Sequence, residues 1–260
     1  MDTPASAPPQ WASEYFGPLY HDIYSRFVLR AGNRTATELA ALRRLLDLRR
    51  KRVLDVAAGF GRHSRPLARN NEVYALDLNR DYLVQARGGT TAPRRESPAA
   101  VRADMLFLPF HDGVFDAALL LFNSFGYARG GGDADSQLLG EIARVLRPGG
   151  GFVMETANKA AVLRAVRENP RARVATAEYD IAESWAYDRS SGVLTNCTEF
   201  RMGRRTQRCG YRLILHTPGE VCQMLRQCGF RIEGRYGGYQ LEPFDARASD
   251  TLLVHAARTS

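Results

Sequence analysis

Residues 53–64, VLDVAAGFGRHS, join an apolar run to a turn spaced Ala57-x-Gly59-x-Gly61. Small residues at these positions let the backbone pass close to a ligand, whatever that ligand is. A triphosphate loop needs Gly-Lys-Ser/Thr, which this turn lacks, and a dinucleotide fingerprint has glycine where Ala57 stands. Asp77 closes EVYALDL, 16 residues beyond Gly61. A carboxylate at a strand end can accept both hydroxyls of a ribose; it can equally cap the helix that follows. Asp104-Met105 ends a third segment, where an acid can accept from an adenine amino group and an apolar side chain can cover the ring. A glycine turn and two acids at three successive strand ends point to an adenosine-bearing ligand.

The periodicities supply elements that would bring these residues together. TATELAALRRLLDL (35–48) places Leu39, Leu42, Leu45 and Leu46 on one helical face. A buried strand is expected at 52–57, a helix from the turn to about 69, a strand at 72–78 and a helix at 81–87 capped by Asn79. Residues 88–100 read as a loop, 101–105 as the start of a third strand region and 112–125 as a turn with an apolar fourth strand. A helix over 135–146 stops at Arg-Pro-Gly-Gly, and 151–156 is the fifth strand. This alternation predicts an α/β fold, a doubly wound and mostly parallel sheet. Residues 178–187, 193–202 and 207–216 then read as three strands without helices, an antiparallel β insertion added to the sheet. Thr217 and Glu220 have capping-box spacing, with Pro218 at the first helical position and Gly229 at the stop. The last core strands are expected at 230–236 and 250–257. The chain thus divides into a disordered tail (1–10), an aromatic N-terminal lid (11–33), a core (34–177), the β-rich insertion (178–216) and a C-terminal helix with the last strands (217–260).

The ordered set resembles the class I S-adenosylmethionine-dependent methyltransferases. VLDVAAGFG is similar to their first motif, VYALD to the second, RADM to the third, FDAALLLFNSF to the fourth and RVLRPGGGFVMET to the segment after it. RTATELAALRRLL and LFNSFGY further resemble small-molecule N-methyltransferases of the glycine and bacterial amino-sugar kinds. The run 178–216 resembles the sheet insertion of the sugar enzymes. The resemblance implies a Rossmann-like methyltransferase fold with a seven-stranded sheet and S-adenosyl-L-methionine as cofactor. It puts the backbone at Ala57 and Gly59 on the methionine part, Asp77 on the ribose, and Asp104 with Met105 on the adenine. Leu121 gives a backbone contact, Arg34 pairs with the cofactor carboxylate, and Gly61 and Leu78 complete the cofactor set.

Methyl transfer mainly requires that a lone pair be aligned with the C–S bond and that water be excluded. Tyr15, Tyr20, Asn123, Tyr127 and Asn158 are expected on the acceptor side, and Asn123, Tyr127, His216 and Tyr20 are the candidates for a part in the transfer itself. Packing in a satellite core is the competing reading of the tyrosines. His21 and His63 suit helix positions better than proton transfer. Ala157 stands where the glycine enzyme has a substrate-gripping arginine, which argues against glycine as acceptor. Phe122-Asn123-Ser124-Phe125 replaces the NPPY or DPPY of enzymes acting on exocyclic base nitrogens or glutamine, which argues against those acceptors.

With 260 residues, 45 % of them hydrophobic, the chain can bury a sizeable core. Its net charge of +8 comes almost wholly from arginine, Lys51 and Lys159 being the only lysines. The arginines are spread from Arg26 to Arg258 and not gathered in one block, so nucleic acid is not the expected partner. An RNA methyltransferase, a non-catalytic cofactor-binding protein and an NAD-dependent oxidoreductase are the rival readings. Cys197, Cys209, Cys222 and Cys228 form no CxxC pair, and no metal site is expected. No 18-residue apolar run occurs, and MDTPASAPPQ lacks the features of a signal peptide. The expectation is a cytoplasmic protein without a membrane span, a monomer or homodimer acting on a small molecule.

Overall fold

The structure, a computed structural model, describes residues 10–24, 34–88, 97–127 and 133–260. Residues 1–9 of the tail expected over 1–10, most of the 88–100 loop and the lid beyond Tyr24 lie outside the described residues, while Gln10, expected in the tail, begins the first helix.

Two short helices, α1 (Gln10–Tyr15) and α2 (Pro18–Ile23), precede α3 (Arg34–Leu46). The alternating part follows: β1 (Arg52–Val56), α4 (Ser64–Ala68), β2 (Glu72–Asp77), α5 (Arg80–Ala86), β3 (Ala99–Arg102), β4 (Phe115–Leu120), α6 (Asp133–Val145) and β5 (Leu146–Ala157). After α7 (Lys159–Glu168) come β6 (Arg171–Ala175), β7 (Asp180–Asp188), β8 (Val193–Met202) and β9 (Arg205–Ile214). The chain ends with α8 (Pro218–Gln227), β10 (Phe230–Tyr236) and β11 (Thr251–Arg258).

Seven strands form one sheet in the order β10-β11-β5-β4-β1-β2-β3, parallel from β3 to β5 and antiparallel at β11 and β10. Strand residues alternate between two buried layers. Leu54, Val56, Leu120 and Met154 pack against Leu139 and Ile142 of α6 and Leu225 of α8. Val53, Val73, Leu119 and Val153 pack against Leu39 and Leu42 of α3 and Leu67 of α4. Full burial of such a side chain contributes roughly 1.5–3 kcal/mol before entropic costs. Strand order reverses between β1 and β4, and a crevice opens at such a switch point beyond the C-terminal ends of the strands.

The helix caps form as expected. Asn79 accepts from the N–H groups of Asp81 and Tyr82, and Thr217 with Glu220 makes a reciprocal capping box. The Arg-Pro-Gly-Gly stretch does stop α6, but β5 starts immediately, at Leu146. The stretch is looped out of the ladder, since Phe115 pairs with Leu146 and Ala117 already pairs with Gly151.

The β insertion is a sheet of its own, antiparallel in the order β6-β7-β8-β9, and does not extend the first. Its extra strand, β6, is exposed at all five positions and has no buried face; pairing with β7 makes it a strand. Tyr127, beyond β4, bridges to Leu213, and Ile214 N–H donates to Gly126 carbonyl at 2.6 Å. These bonds fix the second sheet beside the crevice.

Candidate active site

The turn after β1 is held from within. Ala57 takes φ 55° and Gly59 φ 56°, in the left-handed region. Gly59 N–H donates to Asp77 Oδ2 at 2.8 Å, and Asn79 N–H to Oδ1 at 2.8 Å. The carboxylate therefore has a fixed orientation at the end of β2. Burial pushes its pKa up, against the pull of those two N–H groups. A Cβ on Gly59 would meet nothing within 4 Å, whereas one on Gly61 would lie 2.6 Å from Ala86. Gly59 leaves room for a ligand; Gly61 is small because α5 packs against the turn.

Two cavities meet at Ala57, Asp77 and Phe16, which line both. The larger, of about 360 Å³, runs over Leu78, Asp104 and Met105 and is roofed by Trp11, Phe16 and Tyr127. Trp11 stacks on Tyr127 with centroids 5.2 Å apart. The smaller, of about 110 Å³, is bounded by Tyr20, Asp55, Gly59, Arg62, Tyr82, Leu121 and Phe122. One half is flat and apolar with a carboxylate at its edge; the other is small and charged.

The charged half is organised by Glu38, whose side chain is 1 % exposed. Glu38 accepts from Arg34 Nε at 2.7 Å, lies 2.8 Å from His63 Nε2, and also accepts from Arg62. Burial alone would raise its pKa, but the hydrogen bonds from His63 and Arg34 and the charge of Arg62 outweigh it and hold the carboxyl at about 2. Arg34 and Arg62 lie over the Phe122 ring at 5.4 and 5.5 Å. Phe122 and Asn123 both have positive φ, 58° and 56°. Phe122 N–H donates at 2.9 Å to buried Glu155, which also accepts from Tyr239 Oη at 2.8 Å. Such backbone costs about 1–3 kcal/mol per residue and persists only where its surroundings enforce it. Asp55 bonds Ser64, and burial raises its pKa.

Three buried side-chain atoms have no hydrogen-bond partner among the described residues: Arg62 Nη2, Tyr82 Oη and Asn123 Oδ1. Arg62 and Tyr82 both line the smaller cavity, and Asn123 follows Phe122, which also lines it. Buried polar atoms are ordinarily satisfied, so a cluster of orphans is where a polar ligand belongs.

The expected cofactor residues Ala57, Gly59, Asp77, Leu78, Asp104, Met105 and Leu121 converge on these cavities. Tyr20 and Tyr127 line them as well, and burial raises both phenols well above their ordinary range. They remain protonated at neutral pH and can orient a ligand without acting as bases. Other placements correct the expectation. Gly61 packs on α5, as above. Asn158 is 1 % exposed and caps α7, while its amide donates to the carbonyls of Ala246 and Ser249, so its bonding capacity is taken up by the fold. His216 lies at 2.6 Å from Asp135, whose other oxygen accepts from Gly126 N–H, and lines neither cavity. Tyr15, at the end of α1, packs on Phe200 and Tyr211 of the second sheet and lines neither cavity. Arg34 is half exposed and reaches the smaller cavity only through Glu38 and the Phe122 ring.

Sequence reasoning missed Glu38, Asp55, Arg62 and Tyr82. Two carried readable signals: Glu38 stands four residues after Arg34, helical ion-pair spacing, and Asp55 interrupts an apolar strand. Arg62 follows the last glycine of the turn with nothing to mark which way it points.

Residues 53–150 match the family model described as methyltransferase domain. A demethylmenaquinone methyltransferase of Corynebacterium kroppenstedtii is 37 % identical over 123 residues, 47 % of this chain and 49 % of that protein. A dTDP-3-amino-3,6-dideoxy-alpha-D-glucopyranose N,N-dimethyltransferase of Streptomyces fradiae is 34 % identical over 155 residues, 58 % of this chain and 57 % of that one. The chain thus spans about half the length of these curated relatives. Among solved structures, the CcbJ methyltransferase of Streptomyces caelestis superposes with TM-score 0.79 at 21 % identity, covering 95 % of this chain and 99 % of that one.

Proposed function

We propose that this chain, whose residues 53–150 carry a methyltransferase domain, transfers a methyl group from S-adenosyl-L-methionine to a nitrogen or oxygen of a small molecule. The observation that carries this reading is the pairing of a flat apolar cavity with a charged one across the fixed carboxylate of Asp77. When bound, S-adenosylmethionine supplies an electrophilic methyl on a sulfonium, and transfer is an in-line displacement that leaves a neutral thioether.

The residues present suit that group. Asp77 accepts from the ribose hydroxyls, Asp104 stands at the adenine edge, and Leu78 and Met105 give the ring apolar contact. The free arm of Arg62 suits a carboxylate, which it can engage as a fork. Asp55 supplies negative charge to the ammonium and the sulfonium. The backbone at Ala57 and Gly59 makes room at the turn. Trp11, Phe16 and Tyr127 close over the larger cavity, which keeps water out, and Tyr20 bounds the smaller one.

Positioning then carries the rate, since reactants held in line are worth an effective molarity on the order of 10⁵ M or more. An acceptor proton leaves to solvent, given that Tyr20 and Tyr127 hold their own. Calorimetric titration with S-adenosylhomocysteine is expected to give one site per chain and a micromolar dissociation constant. No heat together with no thermal shift would end this reading.

A further inference from the structure

Tyr82 carries a polar atom for which the fold has no use. It stands in the first turn of α5, four residues before Ala86, so the two side chains share one face of that helix. Ala86 is the residue on which Gly61 packs, which sets this face of α5 against the turn after β1. Helical side chains lean back along the axis, and here that direction leads towards Asn79 and Asp77. The ring is enclosed. Its centroid lies 5.7 Å from that of Phe60 in the turn and 5.7 Å from that of His21 in α2, and the residue is 5 % exposed.

A phenylalanine would fill this space as well. The hydroxyl adds nothing to the packing, and its burial without a partner among the described residues costs the chain a bond to water. A buried polar atom in that state calls for a ligand that supplies the missing bond. Tyr82 lines the smaller cavity together with Asp77, yet no hydrogen bond joins the two side chains. Burial and the Asp77 charge raise the pKa of the phenol well above its ordinary range, so it keeps its proton and serves as a donor.

The Asp77 carboxylate offers the opposite function. Its oxygens take one N–H each, from Gly59 and Asn79, and in the ionised form they can only accept. Such a group takes the hydrogens of two neighbouring hydroxyls and leaves the lone pairs of their oxygens unused. A donor beside it completes the recognition of a diol. The carboxylate of the ligand has its own donor in the free nitrogen of Arg62, so the hydroxyls at Asp77 are the acceptors left to Tyr82.

We propose that Tyr82 is a second ribose contact, donating its Oη–H to a hydroxyl oxygen of the sugar that Asp77 holds, and that the two side chains together select a ribonucleoside over its deoxy counterparts. This rests on the S-adenosylmethionine reading above and adds to it a residue that determines specificity for the sugar. A nucleoside lacking that hydroxyl would leave the phenol buried and unpaired, which is how a hydrogen-bonding site rejects an analogue.

The test compares the wild type with Tyr82→Phe on the full chain. The probes are S-adenosylhomocysteine and its 2′-deoxy and 3′-deoxy analogues, with dissociation constants read by calorimetry and, for weak binding, by ligand-observed NMR. Tyr82→Phe is expected to weaken S-adenosylhomocysteine about fivefold. At least one of the two analogues is expected to weaken by less than about twofold, because it lacks the oxygen that Tyr82 serves. The ligand-free melting temperature of Tyr82→Phe is expected to rise by about a degree or two, since the unpaired hydroxyl is gone. An unchanged S-adenosylhomocysteine affinity, or the same loss for all three probes, would overturn the proposal while cofactor binding stands. So would a lower melting temperature, which would mean that the hydroxyl already serves the fold. Failure of S-adenosylhomocysteine to bind the wild type would instead remove the reading beneath it.

Discussion

Asp55 and Arg62 take opposite roles in the small cavity, and each gives a measurable signature. Asp55 is a buried carboxyl with raised pKa, so its charged form costs the folded state stability above that pKa. Asp55→Asn is therefore expected to raise the melting temperature of the ligand-free protein by a few degrees, about 1 kcal/mol. The same change should weaken S-adenosylmethionine about tenfold and S-adenosylhomocysteine less, because only the former carries the sulfonium. Titration of both ligands against both proteins decides it; equal losses would mean that Asp55 does not meet the sulfonium. Arg62 has a buried unpartnered nitrogen beside its bond to Glu38. Arg62→Lys keeps the charge but loses the fork, and S-adenosylhomocysteine affinity should fall about tenfold. Calorimetry would read this, and an unchanged affinity would return the carboxylate to Arg34.

At the scale of elements, Glu38 clamps α3 to the start of α4 through Arg62 and His63. Its carboxyl is held at about 2, below the ordinary value of about 4.3. The stabilisation is therefore complete above the ordinary value and is lost as pH falls towards 2. Thermal melts between pH 5 and pH 3 should decline more steeply for the wild type than for Glu38→Gln, whose baseline is lower. Parallel declines would show that the clamp contributes nothing. The lid helices make a separate prediction. Trp11 roofs the larger cavity, while Trp185, the other tryptophan of the chain, sits on the second sheet. S-adenosylhomocysteine should change tryptophan emission in the wild type and in Trp185→Phe, but not in Trp11→Phe. Retention of the change in Trp11→Phe would place the nucleoside elsewhere.

For the whole molecule, arginines that are near neighbours in the chain, from Arg43 to Arg52, are joined in space by Arg69. Arg43, Arg44, Arg49, Arg50 and Arg69 line one groove of about 860 Å³, and Lys51 and Arg52 line the next. Both lie where β1 begins, whereas the crevice lies where it ends. A bound polyanion would thus rest at the end of the sheet away from the methyl, which disfavours the RNA reading. Replacing Arg43, Arg49 and Arg69 together by Glu should bring elution from heparin to lower salt and leave S-adenosylhomocysteine affinity within about twofold. A parallel loss of cofactor affinity would contradict the separation of the two ends. No helix among the described residues is long and apolar enough to cross a membrane.

The α/β alternation, the order of strand ends and the residues at those ends that line the larger cavity were legible in the chain, because each depends on local pattern. Short continuous apolar runs make buried strands, glycine permits the turn at Gly59, and an acid at the end of such a run stands at the sheet edge. The charged half of the crevice was not legible. Glu38, Arg62, Phe122 and Glu155 are far apart in sequence and meet only when α3, the turn after β1, and the ends of β4 and β5 are assembled. The separate second sheet was decided in the same way, since pairing β6 with β7 depends on backbone bonds and β6 buries no side chain that would announce it. Side-chain type fixes what a residue can do, but burial and the opposing groups, which fix what it does, arise only from tertiary contact.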